Sequence, residues 1–173
     1  MSPRAAFTVI AAADDAGGIG RAGGLPWRLK ADMEFFRRLT TGPGGAANAV
    51  ILGRRTWDSL PPRFRPLPER RNVVISRQPA AAFPGAQRAQ SFSEALALAR
   101  AGGGEVFVIG GAEVYAAALA HPECGRILLT RVAGTHDCDV FFPGFSALRA
   151  LEQGEEQQEG GLRFRFCAFA SPA

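Results

Sequence analysis

Val106-Phe107-Val108-Ile109-Gly110-Gly111-Ala112-Glu113-Val114-Tyr115 reads as a strand, a paired glycine and the opening of a helix. Four consecutive large apolar residues without polar alternation require burial on both faces, which a parallel sheet between helical layers supplies. The two glycines strip the strand-to-helix turn of side chains, so a ligand backbone or phosphate can approach the helix start closely. Outward from this unit, strand patterns fall at 7–12, 49–52, 72–76, 105–109, 127–132, 140–142 and 162–169, and helical patterns at 31–40, 55–60, 93–101 and 112–120. The alternation predicts an α/β chain with a largely parallel sheet covered on both faces. The last two strands follow each other with a polar interval at 152–159 and are expected to pair antiparallel at an edge. Ser93, between Phe92 and Glu94, reads as the N-cap of the third helix, which ends at 102–104 in glycines.

The chain has 173 residues, 47% hydrophobic and 21% charged, which fits one packed domain over 1–173 and excludes disordered and fibrous classes. Its 21 glycines and 12 prolines favour ordered loops over a helical bundle. Lys30 is the single lysine among 20 basic residues, so the formal charge of +4 is carried by arginine. A guanidinium fork grips phosphates and carboxylates bidentately, although such richness also follows from base composition alone. The cysteines Cys124, Cys138 and Cys167 are too few and too scattered for a disulfide framework and point to a reducing cytoplasm. Residues 5–13 imitate a leader segment behind Arg4, but Thr8 and Val9 favour a strand. No stretch has the length of a membrane span. His121, Cys124, His136 and Cys138 match no zinc spacing, and no metal is expected.

Gly18-Ile19-Gly20-Arg21-Ala22-Gly23 spells a dinucleotide fingerprint, but Gly24 and Pro26 follow it, so no helix opens within it to face a pyrophosphate. No acidic residue between Glu34 and Asn48 is available for a ribose hydroxyl. The segment reads instead as a mobile, glycine-rich lid. It runs into Leu25-Pro26-Trp27 and a helix whose apolar stripe is Leu29, Met33, Phe36 and Leu39, with Asp32 at its border. A carboxylate there is partly desolvated, which raises its pKa and suits it to hold a proton or grip an amidine-like group at two points. Alternatively, it is a first-turn Asp favoured by the helix dipole. Gly53-Arg54-Arg55-Thr56-Trp57 follows a second strand, and Ser76-Arg77 a third. Their cations could share one anion, suiting an adenosine 2′-phosphate and hence NADP rather than NAD.

In this order and spacing, Leu25-Pro26-Trp27 with Asp32 and Phe36, Gly53-Arg54-Arg55-Thr56-Trp57, Arg65-Pro66-Leu67-Pro68 with Arg70, and Ile109-Gly110-Gly111 with Tyr115 resemble dihydrofolate reductase. The resemblance runs from about residue 7 to 143. It implies a three-layer fold with a mostly parallel eight-stranded sheet, an antiparallel edge and flanking helices, and hydride transfer from NADPH to 7,8-dihydrofolate. It further implies that Asp32, braced by Thr130, binds the pterin, that Trp27 orders a water and that Leu25 gates solvent. Ile10, Ala11, Met33, Phe36, Leu60, Leu67, Ile109 and Tyr115 would wall the substrate, and Arg70 would clamp its glutamate tail. Ala12, Ile19 and Gly20 would touch the nicotinamide side. Gly53, Arg54, Arg55, Thr56, Ser76 and Arg77 would hold the phosphates, with Gly110, Gly111, Ala112, Glu113, Val114 and Tyr115 facing pyrophosphate and ribose. A monomer that binds antifolates, without nucleic-acid or membrane partners, is implied.

Two other readings compete. A pyrimidine reductase of the riboflavin pathway shares fold and cofactor, but its substrate has neither pterin nor glutamate for Asp32 and Arg70. A nucleic-acid binder would suit the pI near 9.6, but needs a contiguous basic face with interleaved aromatics, and these arginines cluster at strand ends instead.

Overall fold

The computed structural model describes residues 6–42 and 47–172. Arg4 and Ala5, at the start of the leader-like run, lie outside them. The elements are β1 (Phe7–Ala13), β2 (Gly18–Gly20), α1 (Lys30–Thr41), β3 (Ala49–Gly53), α2 (Arg54–Ser59), β4 (Arg71–Ile75), β5 (Gln87–Ala89) and α3 (Phe92–Arg100). They continue with β6 (Val106–Val108), α4 (Ala112–Leu119), β7 (Cys124–Val132), β8 (Val140–Phe141), β9 (Arg149–Gln153), β10 (Gln157–Glu159) and β11 (Leu162–Ala170).

Among the described residues the main sheet holds nine strands in the order β10-β11-β7-β1-β6-β3-β4-β5, with β9 and β10 both paired to β11. It is therefore eight strands wide. From β7 to β5 every pairing is parallel, and β11 runs antiparallel to β7. β3 explains why a continuous apolar run was needed. Ala49 and Ile51 pack into one cluster with α3 and α4, whereas Val50 and Leu52 pack into another with Trp57, Val74 and Phe107. All four are fully buried, and each of the three larger side chains contributes about 1.5–3 kcal/mol of burial.

Four expectations are corrected. The 140–142 segment does not pair with the last strand; β8 pairs antiparallel with β2 in a separate two-stranded sheet, because its aromatic end turns inward and Phe142 packs 5.0 Å from Tyr115. The true edge partners of β11, β9 and β10, arise largely from the polar interval at 152–159, whose exposed residues carry no apolar alternation. β5 was missed for the same reason. The cap of α3 is Ser91, whose side chain accepts from the Glu94 amide, two residues before Ser93. Among the described residues no helix is long and apolar enough to cross a membrane.

Candidate active site

A cavity of about 1360 Å³ opens along the carboxyl ends of β1, β3, β4 and β6, the crevice where open α/β sheets take ligands. Its volume exceeds the roughly 300–1000 Å³ of a site for one drug-sized molecule, so two ligands can lie side by side.

One end is acidic and apolar. Asp32 lines it together with Ile10, Ala11, Phe36, Leu60, Leu67 and Ile109. Thr130, buried on β7, donates its hydroxyl to Asp32 Oδ1 at 2.5 Å. Burial pushes the Asp32 carboxyl above its usual range, and the Thr130 hydrogen bond only partly opposes this. Tyr115 closes the floor; its hydroxyl donates to the Ile10 carbonyl at 2.7 Å, and burial together with the nearby Asp32 charge pushes its pKa up.

The other end is basic. Arg54, Arg55, Ser76 and Arg77 line it with Thr56. Arg54 is shared with Asp58 at 3.7 Å, whereas among the described residues the Arg55 and Arg77 guanidinium groups have neither ion pair nor hydrogen bond. Between the two ends, the Gly53 amide donates to the Gly110 carbonyl at 2.8 Å, joining β3 to the β6–α4 turn. A Cβ added at Gly53 would come within 3.2 Å of Val114 Cγ2, and one at Gly111 within 3.4 Å of Thr56 Oγ1. Gly110 has a φ of +122° and a cis bond to Gly111. Gly53, Gly110 and Gly111 all line the cavity, so bare backbone forms its wall there, and side chains at Gly53 and Gly111 would press on Val114 and Thr56.

The glycine-rich segment opens no helix. Its first part is β2, and β2 turns on Asp14. Burial acts to raise the Asp14 pKa, but amides of His136, Gly18 and Ala16 and the Cys138 thiol outweigh it and hold the carboxylate below its usual range. Further along, Ala22 N donates to Asp139 Oδ2 at 3.0 Å, and Leu25, 56% exposed, borders the cavity.

Ala12, Ile19, Gly20 and every expected phosphate, pyrophosphate and ribose contact from Gly53 to Tyr115 line this one cavity. Four expected residues do not. Thr130 acts from behind Asp32. Trp27 is buried against His136 at 5.4 Å, with its Nε1 lacking an acceptor among the described residues. Arg70 stands outside the lining; Nη1 donates to Thr40 Oγ1 at 2.9 Å, Nε donates to the Pro68 carbonyl at 2.8 Å, and the guanidinium lies 5.9 Å from the Phe36 ring centroid. Met33 is 57% exposed. The covered stripe of α1 is Asp32, Phe35, Phe36, Leu39 and Thr40, rotated from the expected one because Phe35 stacks on Phe166 at 4.4 Å. Sequence reasoning missed Arg21, Gln78, Gln90, Ser91, Phe92, Asp139 and Val140, which also line the cavity. Gln90 and Ser91 follow a strand with no pattern of its own, and only pairing of β8 with β2 brings up Val140.

Among the described residues no group of three or more His, Cys, Asp or Glu could hold a metal ion, and Cys124, Cys138 and Cys167 are free.

The family model described as Dihydrofolate reductase matches residues 6–170. Dihydrofolate reductase of Heliothis virescens is 40% identical over 178 residues, covering 92% of this chain and 94% of that one. That of Pneumocystis carinii is 40% identical over 157 residues, covering 83% of this chain and 76% of its own. The solved structure of Schistosoma mansoni dihydrofolate reductase superposes with a TM-score of 0.82 at 35% identity, over 98% of this chain and 100% of that one. With a family model spanning residues 6–170, relatives 40% identical over most of both chains and a superposition that covers nearly the whole length, this chain belongs to the dihydrofolate reductase family.

Proposed function

We propose that this chain reduces 7,8-dihydrofolate to tetrahydrofolate with NADPH, feeding one-carbon metabolism and thymidylate synthesis in a reducing, cytoplasmic setting. The observation that carries it is one cavity holding a Thr130-braced, desolvated carboxylate at one end and two unpaired arginines at the other. Antifolates would compete for the carboxylate end.

The residues present fit the cofactor. Arg55, Arg77 and Ser76 provide guanidinium and hydroxyl donors suited to a phosphate monoester, and Gly53, Gly110 and Gly111 in the cavity lining put no side chain between the backbone and a ligand. When bound, the reduced nicotinamide supplies the hydride. The chain's residues do the rest. Asp32 accepts two hydrogen bonds from the amino group and adjacent ring nitrogen of a pterin, and Thr130 fixes the carboxylate plane. Phe36, Leu60, Leu67 and Ile109 exclude water from the ring faces, which strengthens that polar contact. Trp27 Nε1 donates to an ordered water, and solvent passing Leu25 delivers the proton to the pterin nitrogen, favoured by the Asp32 charge.

The direct test is the loss of reduced-nicotinamide absorbance on mixing with dihydrofolate, with NADPH and NADH in parallel. Fast NADPH-dependent loss is expected, and no loss with either rejects the reading. Arg77→Ala is expected to raise the KM for NADPH about 10–50-fold through a lost charge-assisted contact while leaving the KM for NADH within about twofold. An equal change for both cofactors would remove the 2′-phosphate assignment.

A further inference from the structure

α1 begins without a cap of its own. Leu29 stands at its N-cap position in extended conformation, and its side chain offers no hydrogen bond. A helix start leaves its first amides unsatisfied, and here the first two are answered from the far end of the chain. Lys30 N donates to Glu159 Oε2 at 2.7 Å and Ala31 N donates to Glu159 Oε1 at 3.0 Å. Both carboxylate oxygens are used, and these bonds hold the Glu159 carboxyl below its usual range.

Glu159 is itself aimed by a tight hairpin. It ends β10, and Gly160 and Gly161, with φ of +56° and +79°, provide the two left-handed residues that a tight two-residue hairpin favours. β11 then returns with Leu162 opposite Glu159 and places Phe166 opposite Thr130 of β7. Phe166 stacks on Phe35 of α1. α1 is thus held at its end by Glu159 and on its side, one turn further along, by Phe166, and Asp32 in the first turn meets Thr130 on the same sheet.

We infer that Glu159 is a positioning residue for dihydrofolate reduction, fixing the first turn of α1 so that Asp32 keeps its hold on Thr130 and its place in the cavity wall. This role rests on the reaction proposed above. Glu159 touches no substrate; it acts through Asp32, which lies one residue beyond the second capped amide. A free helix end frays over its first turn, and loss of a side-chain acceptor at that end removes its fixed position.

The test compares wild type, Glu159→Ala, Glu159→Gln, Asp32→Asn and the Glu159→Ala/Asp32→Asn double variant. Dihydrofolate binding is followed by quenching of tryptophan fluorescence in the absence of cofactor, and kcat/KM by turnover. Glu159→Ala is expected to weaken dihydrofolate binding and lower kcat/KM for dihydrofolate, each about tenfold, with the KM for NADPH unchanged within about twofold. Glu159→Gln, which keeps one acceptor oxygen, should lose less. In the Asp32→Asn background the Glu159→Ala change should cost less than about twofold, since the residue it acts through is already altered. An active wild type with an unaffected Glu159→Ala variant, or equal losses in both backgrounds, overturns the positioning role alone. A wild type inert toward dihydrofolate overturns the reaction and this role together.

Discussion

Asp32→Asn is expected to leave NADPH binding intact and to lower turnover of dihydrofolate at neutral pH by about 10²–10³-fold, the scale of a lost acid–base or charge-stabilising group. Asn keeps the shape and an acceptor oxygen for Thr130, so the fold around the site persists. It loses the negative charge and presents a donor where the pterin also donates. The loss should shrink at low pH, where solvent protonates the substrate without help. Stability moves the other way. Burial raises the Asp32 pKa in the folded protein, so the folded state binds a proton more tightly than the unfolded chain, whose Asp titrates near about 3.9. The ionised carboxylate therefore costs stability once pH rises from the unfolded value through the folded one. Asp32→Asn should raise the melting temperature of the ligand-free protein at neutral pH and leave it unchanged below about pH 4. A variant that binds NADPH worse by the same factor as it loses turnover, or that melts lower at neutral pH, would refute the role.

Asp32 shows which parts of this protein can be read from its sequence. Its placement beside an apolar stripe was legible because helical periodicity is local, and the Arg54-Arg55 and Gly110-Gly111 turns were legible because each lies wholly within a strand-to-helix junction. The rotation of the stripe was not, since it depends on Phe35 meeting Phe166, a partner 131 positions away. The parallel core was legible from continuous apolar runs such as that of β3. β5, β9 and β10 were not, because an edge strand half open to water needs no apolar code and takes its register from a neighbour. The cap of α1 by Glu159 belongs to the same class: the capping signature is normally local, and here its two halves are separated by most of the chain.

Arg70→Ala is the complementary change at the other side of α1, and it is expected to raise the KM for dihydrofolate by about 10²-fold while shifting the KM for NADPH by less than about twofold. The Arg70 side chain is held in place by its neighbours. Burial, reinforced by repulsion from Arg37, lowers its pKa against the attraction of Glu69, yet an arginine stays charged at any working pH. Bonds to Thr40 and to the Pro68 carbonyl, with the Phe36 ring alongside, fix two of its nitrogens, and Nη2 makes no hydrogen bond among the described residues. A preorganised guanidinium loses little side-chain freedom on meeting a carboxylate, so most of the charge-assisted contact appears as affinity. The Arg70 guanidinium lies beside the Phe36 ring but outside the cavity lining, and its hydrogen bonds go to Thr40 and Pro68 and not to Asp32, so kcat at saturation should change little. A pterin substrate lacking the glutamate tail separates this account from a general loosening of α1. Its KM should be the same in wild type and Arg70→Ala, whereas an equal rise for both substrates would mean that the Thr40 contact, and not a carboxylate clamp, is what the variant removes.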